Sequence, residues 1–364
     1  MSNYDTSSVT TTESTTKTFT ITPDTTDGPT DQKETYWDIE NPAENLGYYY
    51  SIPELKKAID SYATWVIGKG WTANTEVTAT LDNITGWGED TFNSIMWNML
   101  VCKKIYGDAF AEIIRSEEDN RILNIKVLDP ARMRIVVDEG GILNRYEYRK
   151  TANSKEYKDI AKEKVLHLCN DRIADNIHGT TVIKACQWVI DARNEAMEDW
   201  RNISHLSSLR VLYSETTDPT TIANLKSEYR NATDLQKKTR ILIIPGKPED
   251  YPFVDLVTPN VDNYISWIRY LENFFYQAVG IPKVILGGSE EFTEASSKIG
   301  YLTFEQIYKR EVVELQQDLL NQLKIRIEFN LPASINNELL SSESKNTGQT
   351  SIQPKETTAT LQRE

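Results

Sequence analysis

Long apolar runs are missing from this sequence: its best candidates, such as 95–102, are short and interrupted by Asn98. A bilayer-crossing helix needs roughly 20 apolar residues, so no membrane partner is expected. The opening residues, MSNYDTSSVTTT, carry neither a basic nor an apolar block, which argues against a secretory signal and for assembly in the cytosol. Cysteine is scarce as well. Cys102, Cys169 and Cys186 are odd in number and include no C-x-x-C pair, so neither a disulfide framework nor a structural zinc site is expected.

Catalytic signatures are equally sparse. Neither G-x-x-x-x-G-K-[ST] nor G-x-G-x-x-G occurs, which removes the backbone cradles of the usual packaging or helicase ATPase. G-x-S-x-G is absent too. His167, His178 and His205 form no H-E-x-x-H pair. His167 and Cys169 could offer two metal ligands from one strand face, but a buried strand histidine is the commoner outcome, so no metal and no cofactor is expected. The carboxylate pairs Glu117-Glu118, Glu249-Asp250 and Glu290-Glu291 sit in polar, turn-like settings where both acids stay ionised and solvated.

What the chain does have is acid and core. Its formal charge of -14 repels phosphate on average, so nucleic acid is not gripped by the whole surface. A 39% hydrophobic content with 8 Trp supplies a sizeable core over 364 residues. Basic residues cluster once, at Lys237, Lys238 and Arg240 with Lys226 and Arg230 upstream. Glu228 and Asp234 dilute the cluster, which leaves both a mixed exposed surface and a DNA or partner contact open.

Periodicity predicts an α+β chain with disordered Ser/Thr-rich termini. Ser51-Ile52-Pro53-Glu54 reads as a capping box opening a helix with Leu55, Ile59, Tyr62 and Val66 on one face. Asp90 caps a second helix, stopped by Gly107. β-branched segments follow over 109–149, with a tight turn at Gly140-Gly141 and a further strand over 164–168. A long helix over 181–206 then carries Val182, Ala185, Val189, Ala192, Ala196, Trp200 and Ile203 on one face. A small mixed insert holds strands near 209–213, 240–244 and 254–257 around a helix capped by Asp218. A return helix bears Val261, Tyr264, Ile268, Leu271, Phe275 and Ala278, and it halts at Gly280 and Pro282. A final helix over 293–325 bears Ile299, Leu302, Ile307, Val312, Leu315, Leu319 and Leu323.

This order of parts resembles the portal proteins of tailed double-stranded DNA viruses. The matching segments are Val127-Leu128-Asp129-Pro130, 137–141 (VDEGG), Tyr146-Glu147-Tyr148, Val165-Leu166-His167-Leu168, His178-Gly179-Thr180-Thr181, 279–287 (VGIPKVILG) and Ala295-Ser296-Ser297. The resemblance implies a wing over 46–180 completed by the long helix at 295–331, stem helices at 181–207 and 258–279, a clip over 208–257 and a tunnel-loop region over 280–294. Tails at 1–45 and 332–364 remain, too little for a large crown. It further implies a homo-oligomeric ring, typically a dodecamer, at one capsid vertex of the virion. Double-stranded DNA passes through the lumen; the terminase large subunit, head-completion adaptors, and capsid and scaffold proteins dock outside.

On that resemblance Gly287, Gly288, Ser289, Glu290, Glu291 and Glu294, flanked by Lys283 and Lys298, line the channel. Lys226, Arg230, Lys237, Lys238 and Arg240 contact the motor or adaptor, and Val261, Tyr264, Ile268, Leu271, Phe275 and Trp200 pack the stem. The chain is then not an enzyme. Two other readings compete: a non-catalytic virion or scaffold protein of different symmetry, and a hydrolase in which Glu117, Asp129 and Asp138 converge.

Overall fold

The computed structural model describes residues 34–151, 156–206, 210–214, 218–232, 241–245, 261–286, 294–332 and 334. The body begins with β1 (Glu34–Asp38), α1 (Pro42–Ser51), α2 (Pro53–Ile67), β2 (Trp71–Thr72), α3 (Thr75–Asp82) and α4 (Phe92–Tyr106). Six strands follow: β3 (Asp108–Arg115), β4 (Ile122–Leu128), β5 (Met133–Asp138), β6 (Leu143–Arg149), β7 (Tyr157–Ala161) and β8 (Val165–Cys169). Beyond them come α5 (Val182–Leu206), β9 (Arg210–Ser214), α6 (Pro219–Ala232), β10 (Ile241–Pro245), α7 (Val261–Val279), α8 (Lys283–Leu286), α9 (Glu294–Asp318) and β11 (Glu328–Phe329).

Helix α4 is the hub. It buries Phe92, Ile95, Met96, Met99, Leu100 and Ile105, apolar nearly all round, because it packs on α2 on one side and on β3 on another. Its cap differs from the expected Asp90. Thr91 Oγ1 accepts from the Ser94 amide at 3.2 Å while Ser94 Oγ accepts from the Thr91 amide at 2.9 Å, and Asp90 instead accepts from the Trp87 amide at 3.0 Å. The capping box expected at Ser51 is absent too: Ser51 ends α1, and α2 starts from buried Ile52 with Pro53 supplying the first-turn φ.

One antiparallel sheet packs on this hub, and a second meets the first through Tyr146 against Phe110 and His167. The first runs β4-β3-β8, and the second runs β1-β5-β6-β7. Asp138 ties the β5–β6 turn by accepting from the Gly140 and Ile142 amides at 2.9 Å each, and Gly141, at φ 75°, turns the chain there as expected. Strand β1 corrects the expected 1–45 tail. Its residues pair with β5, and its acids Glu34 and Asp38 reach Arg145 at 2.6 Å and Arg134 at 2.9 Å. Five residues inside a Thr-rich stretch carry too little periodicity to stand out, and cross-strand partners 100 residues away define them.

Helix α9 returns to the body along α2. Trp65 meets Tyr301, Phe304 and Tyr308 at centroid distances of 5.7, 5.9 and 5.5 Å, contacts worth about 0.5–1.5 kcal/mol each beyond burial. The expected stripe is therefore shifted in its first half: Ile299 and Ile307 are exposed, and Phe304 and Tyr308 are buried in their place. Further along, Glu311 accepts from Lys103 at 2.5 Å, Tyr62 at 2.9 Å and Lys104 at 3.3 Å. Burial works to raise its carboxyl, but Lys104 and Lys103 outweigh that and hold it down at about 2. Lys103 rises because Glu311 and Glu314 overcome its burial, whereas burial wins at Lys104 and lowers it.

The helix does not run to 331 as expected. It passes through a π-helical stretch, Leu319–Leu323, reverses at Lys324 (φ 62°) and extends into β11, which pairs with β2. Ser334 then donates to Glu305 at 2.9 Å.

Candidate stem and channel surfaces

Among the described residues, helices α5 and α7 form the most extensive helix pair. Trp200 near the end of α5 meets Tyr264 near the start of α7 at 5.3 Å, while Arg193, seven residues earlier, acts on Tyr276, twelve residues later. The two helices therefore run antiparallel. Leu271 and Phe275 are buried in the seam, and Tyr264, Ile268 and Trp200 are half-buried at its edge. Ala278, expected on the same stripe, is exposed, and the side chain of Val261 lies outside the described residues. On α5 the expected stripe holds at Val189 and Ala196, which are buried, and at half-buried Val182, Ala192, Trp200 and Ile203, but Ala185 is exposed, and Ile183, Cys186 and Ile190 widen the buried arc because the helix serves α4 as well as α7.

The flanks of α7 beside this seam are apolar as well. Ile265, Trp267, Tyr270 and Phe274 are all more than two-fifths exposed. Trp267 stacks on Tyr270 at 5.7 Å, and Tyr270 meets Phe274 at 5.7 Å, so the three rings form one continuous ridge. Trp188 and Met197 on α5 are exposed to a similar degree. Periodicity on one face of α7 hid this second face.

At the far end of α7, Gly280 takes φ 76° and Ile281 is buried beside Pro282. Lys283, expected to face DNA, is ion-paired with Glu272 of α7 at 3.2 Å and is only 23% exposed. Lys298 lies half-buried on α9, and Glu294 is that helix's first residue. Gly287, Gly288, Ser289, Glu290 and Glu291 lie outside the described residues.

In the insert, Asp218 caps α6 as expected: its carboxylate accepts from the hydroxyls and amides of Thr220 and Thr221, and those bonds hold it at about 2. Strands β9 and β10 pair parallel, with α6 as the crossover between them. Lys226 and Arg230 lie on α6, whereas Lys237, Lys238, Arg240 and the strand expected at 254–257 lie outside the described residues.

The carboxylates of the hydrolase reading do not gather. Asp129 caps a 3-10 turn and pairs with Arg132 at 3.1 Å, Asp138 ties the β5–β6 turn, and Glu117 sits at the β3–β4 turn.

A family model described as phage portal protein matches residues 88–347, more than two thirds of the chain. The chain belongs to the phage portal protein family. It is a viral portal subunit, and that membership covers α4 through the end of the described chain. Solved structures agree on the fold of this portal chain. A chain from the virion of a native gene transfer agent particle aligns at TM-score 0.58 and 14% identity, over 86% of the portal chain and 89% of its own length. Chains from the neck of native particles, computed with C12 symmetry, and of empty particles, computed with C6 symmetry, align at TM-scores 0.58 and 0.59, again at 14% identity. These cover 87% and 86% of the portal chain and 91% of their own length in both cases. No curated protein sequence matches it.

Proposed function

We propose that the chain closes into a homo-oligomeric ring at one capsid vertex, with α5 and α7 as its stem. One observation carries this reading. The ridge of Trp267, Tyr270 and Phe274 leaves a helix already satisfied on its α5 side with a second apolar face. In a closed ring each copy meets two neighbours through a repeated contact, and a two-faced stem helix suits that geometry. The C12 symmetry of the gene transfer agent neck, a neighbour in fold, supports twelve copies.

The segment from β9 to β10 is then the clip, the docking platform for the terminase large subunit and, after packaging, for head-completion adaptors. The region over 280–294 faces the lumen, where Glu290, Glu291 and Glu294 repel phosphate and let duplex DNA slide. Exposed Glu195, Glu198 and Asp199 on the last turns of α5 extend the same logic. A conduit gains nothing from affinity, since each phosphate neutralised by a cation adds binding energy and friction. The subunit is structural, not enzymatic. Its setting is the virion, after assembly in the host cytoplasm.

The test is assembly. Replacing Trp267 and Tyr270 together with Glu should reduce the native mass from a ring to the 41.7 kDa subunit, with circular dichroism unchanged. Rings of unchanged mass from that variant would defeat the stem assignment.

A further inference from the structure

Strands β3 and β8 bring three donor groups to one face of their ladder. Asp108 is directly opposite Cys169, and His167, two residues back, shares the face of Cys169. His167 Nε2 lies 2.8 Å from Asp108 Oδ1 and 3.2 Å from Cys169 Sγ, and the three sets of ligand atoms all fall within 4.8 Å of one another. A neutral imidazole offers either one proton or one lone pair at Nε2, so it can serve only one of these neighbours. Asp108 has no exposed surface, and its Oδ2 has no hydrogen-bond partner. Cys169 Sγ has a second contact at the Ile177 carbonyl oxygen, at 3.5 Å, so what the cluster leaves unmet without an ion is the buried Asp108 Oδ2, which costs about 1–3 kcal/mol.

A cation that takes the bare Oδ2 together with Nε2 and Sγ satisfies all three side chains and leaves Oδ1 to the Gly179 amide. We propose that Asp108, His167 and Cys169 bind one zinc-like divalent cation per chain, bracing β3 and β8 beneath the loop that leads into α5. Thiolate, imidazole and carboxylate together select a borderline-soft ion with tetrahedral preference over magnesium or calcium, which favour oxygen alone. Around such an ion the donors sit about 3.3 to 3.6 Å apart, so His167 must move from Asp108 by about half an ångström and from Cys169 by about 0.4 Å.

The surroundings suit a ligand set. Tyr146 Oη lies 2.9 Å from His167 Nδ1, so that the outer nitrogen can donate to it while Nε2 faces the ion. Phe110 stacks on the imidazole at 4.5 Å and fixes its plane. The Gly179 amide donates to Asp108 Oδ1 at 2.9 Å. That approach requires glycine, because a Cβ on Gly179 would stand 2.2 Å from the Gly107 carbonyl oxygen. His167 and Cys169 also line an open cleft of about 2100 Å³, while Asp108 stays buried behind them.

Cobalt(II) is the probe. The full-length protein, stripped with a chelator and titrated with Co²⁺, should develop a thiolate-to-cobalt band in the near ultraviolet and four-coordinate visible bands that saturate at one equivalent per chain. Cys169→Ser should abolish the near-ultraviolet band with its circular dichroism intact, whereas Cys102→Ser and Cys186→Ser should keep it. Tyr146→Phe should keep the band and weaken binding about tenfold, the effect expected of losing a ligand's orienting partner. Absence of the band from the unsubstituted protein, or its survival in Cys169→Ser, would overturn the site.

Discussion

The body and the α5–α7 pair solve the same problem in opposite ways. In the body, the acids buried under α9 take partners with them: Glu311 gathers Lys103, Lys104 and Tyr62, and Lys309 covers Glu305. On α7, apolar groups stay outside, with Trp267, Tyr270 and Phe274 leaning on one another. A region that completes its own contacts is built to fold alone, and a region that leaves a ridge of rings uncovered is built to meet another surface.

The largest expected effect lies in the body. Glu311→Gln removes the carboxylate shared by two buried ammonium groups and should cost about 3–5 kcal/mol in denaturant melts of the subunit carrying Trp267→Glu and Tyr270→Glu. A cost as small as that of a surface substitution would erase the contrast. The same carboxylate sets a pH limb. Its folded pKa is depressed, so its contribution is present above about 4.5 and is lost as pH falls toward about 2. Acid titrations of stability should be visibly flatter over that window in Glu311→Gln.

Thr91→Ala, which removes the α4 cap, should cost about 1 kcal/mol in the same melts. Asp90→Ala should not reproduce that loss through the helix, since its carboxylate serves the Trp87 amide instead. The smallest effect on the subunit is expected in the channel segment. Glu290→Lys with Glu291→Lys should leave stability and ring mass unchanged and impair only DNA packaging. Unaltered packaging would remove the functional support for a lumen-facing 280–294.

The long helices were legible because each buries a stripe, and a stripe repeats every three or four residues whatever it packs against. So were the strands over 109–149, the Asp218 cap and the break at Gly280. The phase of a stripe was less so. Ala185, Ile299 and Ile307 fit the spacing and still face outward, because helices contacting two neighbours bury a wider arc than one line of residues. Strand β1 and the pairing of β11 with β2 depend on partners far along the chain, which local pattern does not carry.

Of the candidate surfaces, the α5–α7 seam was readable at Leu271 and Phe275, whereas the exposed ridge beside it was not, since one apolar stripe masks another on the same helix. Asp108 escaped notice entirely. It joins His167 and Cys169 only through the β3–β8 register, across 59 residues of sequence.

The central claim is a ring, and native mass with imaging of the purified full-length chain tests it most directly. A dodecamer of 41.7 kDa subunits predicts a particle of about half a megadalton with a central bore. A stable 41.7 kDa monomer at micromolar concentration, with no rings in the images, would contradict it.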